Sequence, residues 1–323
     1  MCTAISFSTK DHYFGRNLDL EYSYEEQVVV TPRNFELKFR KKPPVKKHYA
    51  MIGMAIVREG YPLYYDAVNE WGLAMAGLNF PGNACYFSEA EEKDNITPFE
   101  LIPWILARCK NVEEASQCLE NINLCKLPFS RELPLSPLHW MIADKSRSLT
   151  AESVKEGLKI YDNPVGVLTN NPPFEYHLMN LNNYLNVTAK EPENRFGEKN
   201  LQVYSRGMGG IGLPGDFSSA SRFVKAAFVK INSQSGTGEE ESVSQFFHIL
   251  GSVAHPRGSV RFRDGNSEIT IYSCCMNLEK GIYYYTTYEN SGLSAVDIHA
   301  CDPEGDTLSI FSLKKEPVIY QHS

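Results

Sequence analysis

The first twenty residues form two short runs rich in strand-forming side chains, separated by a polar turn. Residues 2–9 alternate between apolar and polar positions, Lys10, Asp11 and His12 are typical of a turn, and residues 13–20 form the second run. Successive side chains of a strand point to opposite faces, so a period of two predicts strands. The chain is therefore predicted to open with a β-hairpin.

Runs of the same character recur in three later parts of the chain, where short polar turns separate them. Further strands are predicted near residues 49–57, 62–67, 72–78, 137–144, 148–154, 158–163, 268–277, 281–288, 293–299 and 307–313. The connecting turns include Asn69–Gly72, Lys145–Arg147 and Lys155–Gly157. Consecutive strands joined by short turns favour largely antiparallel sheets over an alternating parallel fold.

Apolar residues at helical spacing appear between and after these runs. Residues 97–100, Thr-Pro-Phe-Glu, form a capping-box motif with proline at the first helical position, and helical spacing continues to Cys109. Asn111 is a candidate cap for a helix over residues 112–121. Further helices are predicted over residues 174–184, 218–232 and 241–253.

Helices and strands are thus grouped, which predicts an α+β fold in which the helices pack outside largely antiparallel sheets. Neither an internal repeat nor a linker divides the chain, so residues 1–323 are predicted to form one domain. The composition fits such a fold, since 42% of the residues are hydrophobic and 22% are charged. The 18 Tyr and 17 Phe residues suit a sheet-rich core and are compatible with a bulky apolar ligand.

Charge and hydropathy exclude several classes of partner and location. The net charge of −7 argues against nucleic-acid binding, which needs clustered positive charge. No segment approaches the roughly 18 apolar residues that a membrane-spanning helix requires. The first residues lack the basic and long apolar regions of a secretory signal, so we expect a cytoplasmic location or release by a route that the sequence does not show.

Cysteine and glycine motifs do not indicate a metal, a nucleotide or a disulfide scaffold. The eight cysteines are Cys2, Cys85, Cys109, Cys118, Cys125, Cys274, Cys275 and Cys301. They contain no Cys-x-x-Cys pair and are irregularly spaced, as expected of a reduced intracellular protein. Residues 207–212 fit a dinucleotide-binding glycine pattern, but Pro214 follows where a helix would be required. We expect neither cofactor nor metal.

Cys2 is the most informative candidate for chemistry. Removal of Met1 would leave a thiol and a free α-amine on this residue. Their reference pKa values, about 8.5 and about 7.7–8.0, allow proton exchange near neutral pH. One residue can then serve as both nucleophile and base. Considered alone, Cys2 is more simply interpreted as a small buried residue at the start of a strand. We expect only Met1, and no longer propeptide, to be removed.

Arg16 and Asp19 lie on the predicted partner strand of Cys2, within residues 14–19. Arg16 is suited to hold a thiolate or an oxyanion, and Asp19 to accept hydrogen bonds from the ammonium. Residues three apart on a regular strand face opposite sides, so a shared site requires a bulge, with Gly15 as the candidate, or a strand that ends before Asp19. The alternative is a surface ion pair.

Two asparagines are candidates for oxyanion stabilisation. Asn79 ends an apolar strand before Phe-Pro-Gly, and Asn170 lies in the segment Leu-Thr-Asn-Asn-Pro-Pro. Side-chain amides can donate to a developing oxyanion. Asparagine next to proline is also ordinary turn chemistry, so the residues alone leave both interpretations open.

Several segments together resemble the choloylglycine hydrolase family. They are Met-Cys-Thr at 1–3, Phe-Gly-Arg-Asn-Leu-Asp at 14–19, Asn-Glu-Trp-Gly-Leu at 69–73, Gly-Leu-Asn-Phe-Pro-Gly at 77–82, Pro-Leu-His-Trp at 137–140, Asn-Pro-Val-Gly-Val-Leu-Thr-Asn-Asn-Pro at 163–172 and Leu-Pro-Gly-Asp-Phe-Ser-Ser-Ala-Ser-Arg-Phe at 213–223. The resemblance spans almost the whole chain. It implies the four-layer αββα sandwich of N-terminal-nucleophile hydrolases, which agrees with the grouping of strands and helices.

The resemblance also assigns site residues by position. Cys2 matches the nucleophile, and the other matching catalytic positions are Arg16, Asp19, Asn79, Asn170 and Arg222. For Arg222 the alternative is an ordinary solvated helix residue. The resemblance further implies substrate contacts by Leu18, Leu133, Leu138, Ser205 and Arg206.

The implied function is hydrolysis of the amide between a bile acid and glycine or taurine, through a thioester on Cys2. Asn79 is the main ground for preferring bile salts, because related penicillin V acylases typically carry tyrosine there. Penicillin V acylase chemistry remains one alternative, and a catalytically silent carrier of hydrophobic ligands is another. The resemblance also implies a homo-oligomer, specifically a homotetramer.

Overall fold

The computed structural model describes residues 1–322, which form two large sheets packed face to face. Sheet A contains seven strands: β1 (Cys2–Ser8), β2 (His12–Leu20), β12 (Val167–Leu168), β13 (Val260–Arg261), β14 (Ser267–Asn277), β15 (Ile282–Thr287) and β16 (Ser294–Asp297). Its main path runs β12-β1-β2-β14-β15-β16, with β13 paired to β14. All of these pairings are antiparallel.

Sheet B contains eight antiparallel strands in the order β11-β10-β9-β6-β5-β4-β3-β17. Their bounds are β3 (Gln27–Thr31), β4 (Met51–Arg58), β5 (Tyr61–Asn69), β6 (Ala74–Asn79), β9 (Leu138–Ala143), β10 (Ser148–Val154), β11 (Gly157–Asp162) and β17 (Ser309–Ser312). A small parallel pair, β7 (Asp94–Ile96) with β8 (Ile122–Leu124), lies outside both sheets.

Helices cover the outer face of each sheet. On sheet A lie α3 (Phe174–Leu181), α4 (Ser219–Asn232) and α5 (Glu239–Gly251), and on sheet B lie α1 (Leu101–Leu106) and α2 (Val112–Glu120). Short 3₁₀ turns occupy Pro98–Glu100, Asn182–Tyr184, Met208–Gly210 and Ile298–Ala300. The layers therefore follow the order helix, sheet, sheet, helix, which confirms the expected αββα sandwich.

Alternation along the strands separates the core of the protein into two parts. In β3, Val28 and Val30 pack between the sheets, whereas Val29 packs on the side of α1 and α2. The strand β3 thus buries both of its faces, one against sheet A and one against the helix side of sheet B. This explains why β3 was missed, since its Val-Val-Val run shows no alternation to detect.

The other predicted elements are confirmed within a few residues, with one large difference in length. Asn111 caps α2 as expected, its side chain accepting from the N–H of Glu114 at 2.9 Å. The helix after the capping box is shorter than predicted, because α1 ends at Leu106 after a 3₁₀ turn. The short strands β7, β8, β12 and β13 were also not predicted. Among residues 1–322, no helix has the length and apolar character needed to cross a membrane.

The bulge expected at Gly15 is not present. In β2, Cys2 pairs with Leu18, and every residue from Ser8 back to Cys2 stays in register. The irregularity lies instead on β14, between Thr270 and Tyr272. Gly15 has a different role, because a Cβ atom there would lie 1.9 Å from the carbonyl oxygen of Cys274. The glycine allows β2 and β14 to approach closely.

Candidate active site

Cys2 is the first residue of β1 and lies at the end of sheet A, with only 3% of its surface exposed. Its N–H donates to Asn170 Oδ1 at 2.9 Å, and its carbonyl oxygen accepts from Arg222 Nη1 at 2.5 Å. Both backbone groups of Cys2 are therefore held by side chains from distant parts of the chain. The thiol side of the residue lines a cavity between the sheets.

Arg222 is a buried residue of α4, so the interpretation as a solvated helix residue is wrong. Besides the Cys2 carbonyl, its guanidinium donates to Thr3 Oγ1 at 2.6 Å and to Asn170 Oδ1 at 2.7 Å. Desolvation lowers the pKa of Arg222, although the neighbouring Asp19 and Cys2 oppose that effect. The guanidinium of Arg222 thus links β1 to the segment that carries Asn170 through hydrogen bonds.

Asn170 occupies the position beside Cys2, whereas its neighbour Asn171 does not. The Asn170 side chain accepts from Cys2 and Arg222 through Oδ1 and donates from Nδ2 to the carbonyl of Asn79 at 2.7 Å. Asn171 instead donates to Pro81 O. Among the described residues, the second N–H of Asn170 Nδ2 has no acceptor, so it is available to a ligand.

Asn79 ends β6 and lines the same cavity as Cys2. Within residues 1–322, its side-chain amide makes no hydrogen bond, although its carbonyl accepts from Asn170. An unengaged amide at the cavity wall is suited to bind a polar group of a ligand.

Arg16 and Asp19 flank Cys2 from opposite faces of sheet A. Arg16 is fully buried between the sheets, lines the cavity and donates from Nη1 to Gly77 O on sheet B at 2.5 Å. Asp19 accepts from Thr270 Oγ1 at 2.6 Å on the other face. The strand register places the side chains of Cys2 and Arg16 on the same face of sheet A, whereas the Asp19 side chain lies on the opposite face and contacts Thr270.

Two further buried residues near the amino end were not found from the sequence. The Met1 amino nitrogen lies 2.7 Å from Glu268 Oε1, and His255 Nδ1 lies 3.3 Å from the same oxygen. Burial raises the pKa of Glu268, but His255 and the terminal ammonium outweigh it, so the pKa is lowered. Neither residue carries a motif, and His255 and Glu268 lie 254 and 267 positions from Met1, so only the fold associates them with it.

Glu268, His255 and Asp19 are also the one group of potential metal ligands among the described residues, with ligand atoms within 4.8 Å of one another. The terminal ammonium already provides a positive charge beside Glu268. In this structure the group forms the surroundings of the amino terminus.

The cavity beside Cys2 has a volume of about 410 Å³ and mostly apolar walls. Its residues include Leu18, Leu20, Ile56, Leu63, Phe99, Ile102, Phe129, Leu133, Leu135, Leu138 and Trp140. Three of the predicted substrate contacts, Leu18, Leu133 and Leu138, are among them. Ser205 and Arg206 do not line this cavity, and both are exposed on the surface.

Together these residues can support acyl transfer to a thiol. A nucleophile lies where an apolar trough meets polar groups, namely the guanidinium of Arg16 and the amides of Asn79 and Asn170. Donors at such a junction can stabilise the oxyanion formed when a carbonyl is attacked.

Comparisons with known proteins identify the family. Residues 2–310 match the model of the linear amide C–N hydrolases of the choloylglycine hydrolase family. The bile salt hydrolase/transferase of Lactiplantibacillus plantarum is 54% identical over 321 residues, which cover 99% of each chain.

Solved structures of related proteins have the same fold as this chain. A variant of the conjugated bile acid hydrolase from Clostridium perfringens superimposes with a TM-score of 0.93 at 39% identity, and each chain is fully covered. The penicillin V acylase of Agrobacterium tumefaciens gives a TM-score of 0.76 at 18% identity, covering 97% of this chain and 91% of that one. The second likeness concerns the fold alone.

Proposed function

This chain belongs to the choloylglycine hydrolase family of linear amide C–N hydrolases, and we propose that it hydrolyses bile salts to bile acid and glycine or taurine. The observation that carries the proposal is the position of Cys2 at the polar end of an apolar cavity that also contains Arg16 and Asn79. A rigid apolar steroid suits such walls, and its amide would lie at the polar end.

In the proposed reaction, the α-amine of a processed Cys2 accepts the thiol proton and the thiolate attacks the amide carbonyl. Asn79, Asn170 and backbone N–H groups donate to the oxyanion. The ammonium then protonates the leaving nitrogen, releasing glycine or taurine and leaving a thioester. Water, deprotonated by the amine, attacks the thioester and releases the bile acid with the free thiol.

The remaining residues have positioning roles in this scheme. Arg222 and Asn170 hold the backbone of Cys2 at distances of 2.5–2.9 Å. Arg16 lies on the thiol side, and Asp19 lies near the amino terminus. Because sheet A supplies Cys2 and Arg16 while sheet B supplies Gly77 and Asn79, we propose that the chain functions as a single domain.

We propose a cytoplasmic location and a homotetramer as well. All eight cysteines are free thiols, which fits a reducing compartment.

The homotetramer is proposed from exposed apolar surface. Large apolar side chains are exposed along residues 185–211, and such a surface suits contact with further subunits. They are Leu185, Phe196, Leu201, Val203, Tyr204 and Ile211.

Processing provides the first test. We expect active protein to begin at Cys2, because only a free α-amine on that residue can serve as the base. In the unprocessed chain that nitrogen is a peptide N–H bound to Asn170, and it cannot accept a proton. Intact-mass measurement of the active fraction gives the terminus directly, and full activity with Met1 retained would eliminate the proposed base.

Substrate ranking provides the second test. We expect glycocholate and taurocholate to be hydrolysed with kcat/KM at least about 10²-fold above that of penicillin V, because Asn79 leaves room and polarity for a conjugated steroid. Release of glycine or taurine also separates an enzyme from a carrier, which would bind without cleavage. Asn79→Tyr is the matched variant, and it should reduce the ratio of kcat/KM for conjugated bile salts to kcat/KM for penicillin V. A preference of the unaltered protein for penicillin V would instead support the acylase alternative.

A further inference from the structure

His139 and Glu152 are two completely buried polar residues that have no part in the scheme above. They lie opposite each other on the paired strands β9 and β10 of sheet B. His139 Nδ1 lies 3.0 Å from Glu152 Oε1, which is hydrogen-bond distance. Buried polar groups are costly unless hydrogen bonds compensate for their lost hydration, so the contacts of this pair indicate what it does.

The contacts of His139 determine where its protons lie. Its Nε2 is 3.0 Å from Thr169 O, a carbonyl oxygen that can only accept, so Nε2 carries a proton. Glu152 Oε1 also accepts from the N–H of Phe174 at 3.0 Å. A second proton lies between Nδ1 and Oε1, because two lone pairs facing each other at 3.0 Å would repel. The pair is neutral overall whichever atom holds that proton, which suits its buried place.

His177 of α3 makes the corresponding contact one residue further along the chain. Its Nε2 lies 2.9 Å from Asn170 O, and its ring stacks on Phe223. Burial lowers the pKa of His177, so the ring is neutral and Nε2 carries its one ring proton. The His139 ring stacks in the same manner on Phe80, with ring centroids 4.3 Å apart. Both donors are thus held in place by an aromatic ring.

These donors fix both peptide groups that flank the α-carbon of Asn170. The preceding group is held at its oxygen by His139 and at its N–H by Ser219 Oγ, at 2.8 Å. The following group is held at its oxygen by His177. With both planes fixed, the φ and ψ angles of Asn170 can vary little, so its side chain leaves the backbone in one direction.

That direction matters because Asn170 Oδ1 accepts the N–H of Cys2 at 2.9 Å. We propose that His139 and His177 are positioning residues, which act on the reaction through the backbone of Asn170. This inference rests on the proposed function of Cys2 as the nucleophile. Neither histidine lines the cavity beside Cys2, so substrate affinity should not depend on them.

The experiment compares His139→Phe with His139→Gln in steady-state hydrolysis of glycocholate. Both variants lose the contact with Glu152, but glutamine keeps an N–H that can donate to Thr169 O. We expect kcat of His139→Phe to fall about 10-fold with KM changed less than about twofold, because Asn170 is then less well directed. His139→Gln should keep at least about half of the wild-type kcat. A purely structural role would give equal losses in the two variants.

A double-mutant cycle tests whether the effect passes through Asn170. In the Asn170→Ala background, His139→Phe should change kcat less than about twofold, because the side chain that it directs is absent. His177→Phe should behave in the same way. It keeps a ring against Phe223, and the Nδ1 atom that it removes has no partner among the described residues. This variant decides the question if thermal unfolding shows that His139→Phe does not fold.

The outcomes separate this inference from the proposed function. A loss of kcat in His139→Phe or His177→Phe that disappears in the Asn170→Ala background supports the assignment. Equal kcat in His139→Phe and His139→Gln, or losses that multiply with that of Asn170→Ala, overturns the positioning role and leaves the nucleophile in place. Wild-type protein that does not hydrolyse glycocholate, or hydrolysis that survives in Cys2→Ser, overturns the proposed function and this inference together.

Discussion

Cys2→Ser should abolish nearly all amide hydrolysis, lowering kcat on conjugated bile salts by about 10³-fold or more. A serine hydroxyl is far less acidic than a thiol, so the amine on the same residue activates it poorly. The exchange of sulfur for oxygen leaves the backbone contacts of Cys2 with Asn170 and Arg222 in place. The variant should therefore fold and still bind substrate, as thermal unfolding and ligand binding would verify.

The other cysteines provide the controls for this variant. Cys85 and Cys301 are partly exposed and lie outside the cavity, so replacing either with serine should leave most of the activity. Buried cysteines such as Cys275 should also be dispensable for the reaction, with some loss of stability. Wild-type turnover in Cys2→Ser, or inactivating alkylation at another cysteine, would refute the N-terminal nucleophile.

Asn170→Ala should have the second largest effect, a loss of about 10²–10³-fold in kcat. The substitution removes a candidate oxyanion donor and leaves the backbone N–H of Cys2 and one donor of Arg222 without their shared acceptor. The nucleophile would then be less well positioned, and the oxyanion would lose one hydrogen-bond donor. Steady-state kinetics should show the loss mainly in kcat, because Asn170 is not among the residues that line the apolar cavity.

The adjacent asparagine offers a closely matched control. Asn171→Ala removes the same side chain one position further along, where the amide contacts Pro81 O and Asn83 on the exposed side of the segment. We expect a change in kcat of less than about threefold, in line with the small effects of surface substitutions. Equal losses in the two variants would show that the segment matters only for local structure.

Most elements were predictable because their patterns are local. The hairpin of β1 and β2 follows from alternation and a polar turn, and α2 begins where Asn111 caps it. The failures also have local causes. The β3 strand has apolar side chains on both faces, so it lacks a period, and β12 is only two residues long.

For the site, the sequence by itself determined which residues take part and how they are spaced, but not which way their side chains point. Motif resemblance selected Cys2, Arg16, Asp19, Asn79, Asn170 and Arg222. Alternation correctly implied that Arg16 and Asp19 face opposite sides of a strand, yet the proposed bulge was wrong. Cys2 shares its face of sheet A with Arg16 and its backbone is held by Asn170 and Arg222, whereas the Asp19 side chain contacts Thr270 on the opposite face.

Only the tertiary structure decided which distant groups complete the site. Arg16 reaches Gly77 because sheets A and B pack face to face, and Glu268 lies beside the amino terminus because β14 pairs with β2. These contacts join residues up to 267 positions apart, and no local pattern records them. Local propensities depend on neighbouring residues, so they can be recognised in the sequence. The partners of a buried charge depend on how whole sheets pack, so they can be recognised only in the folded structure.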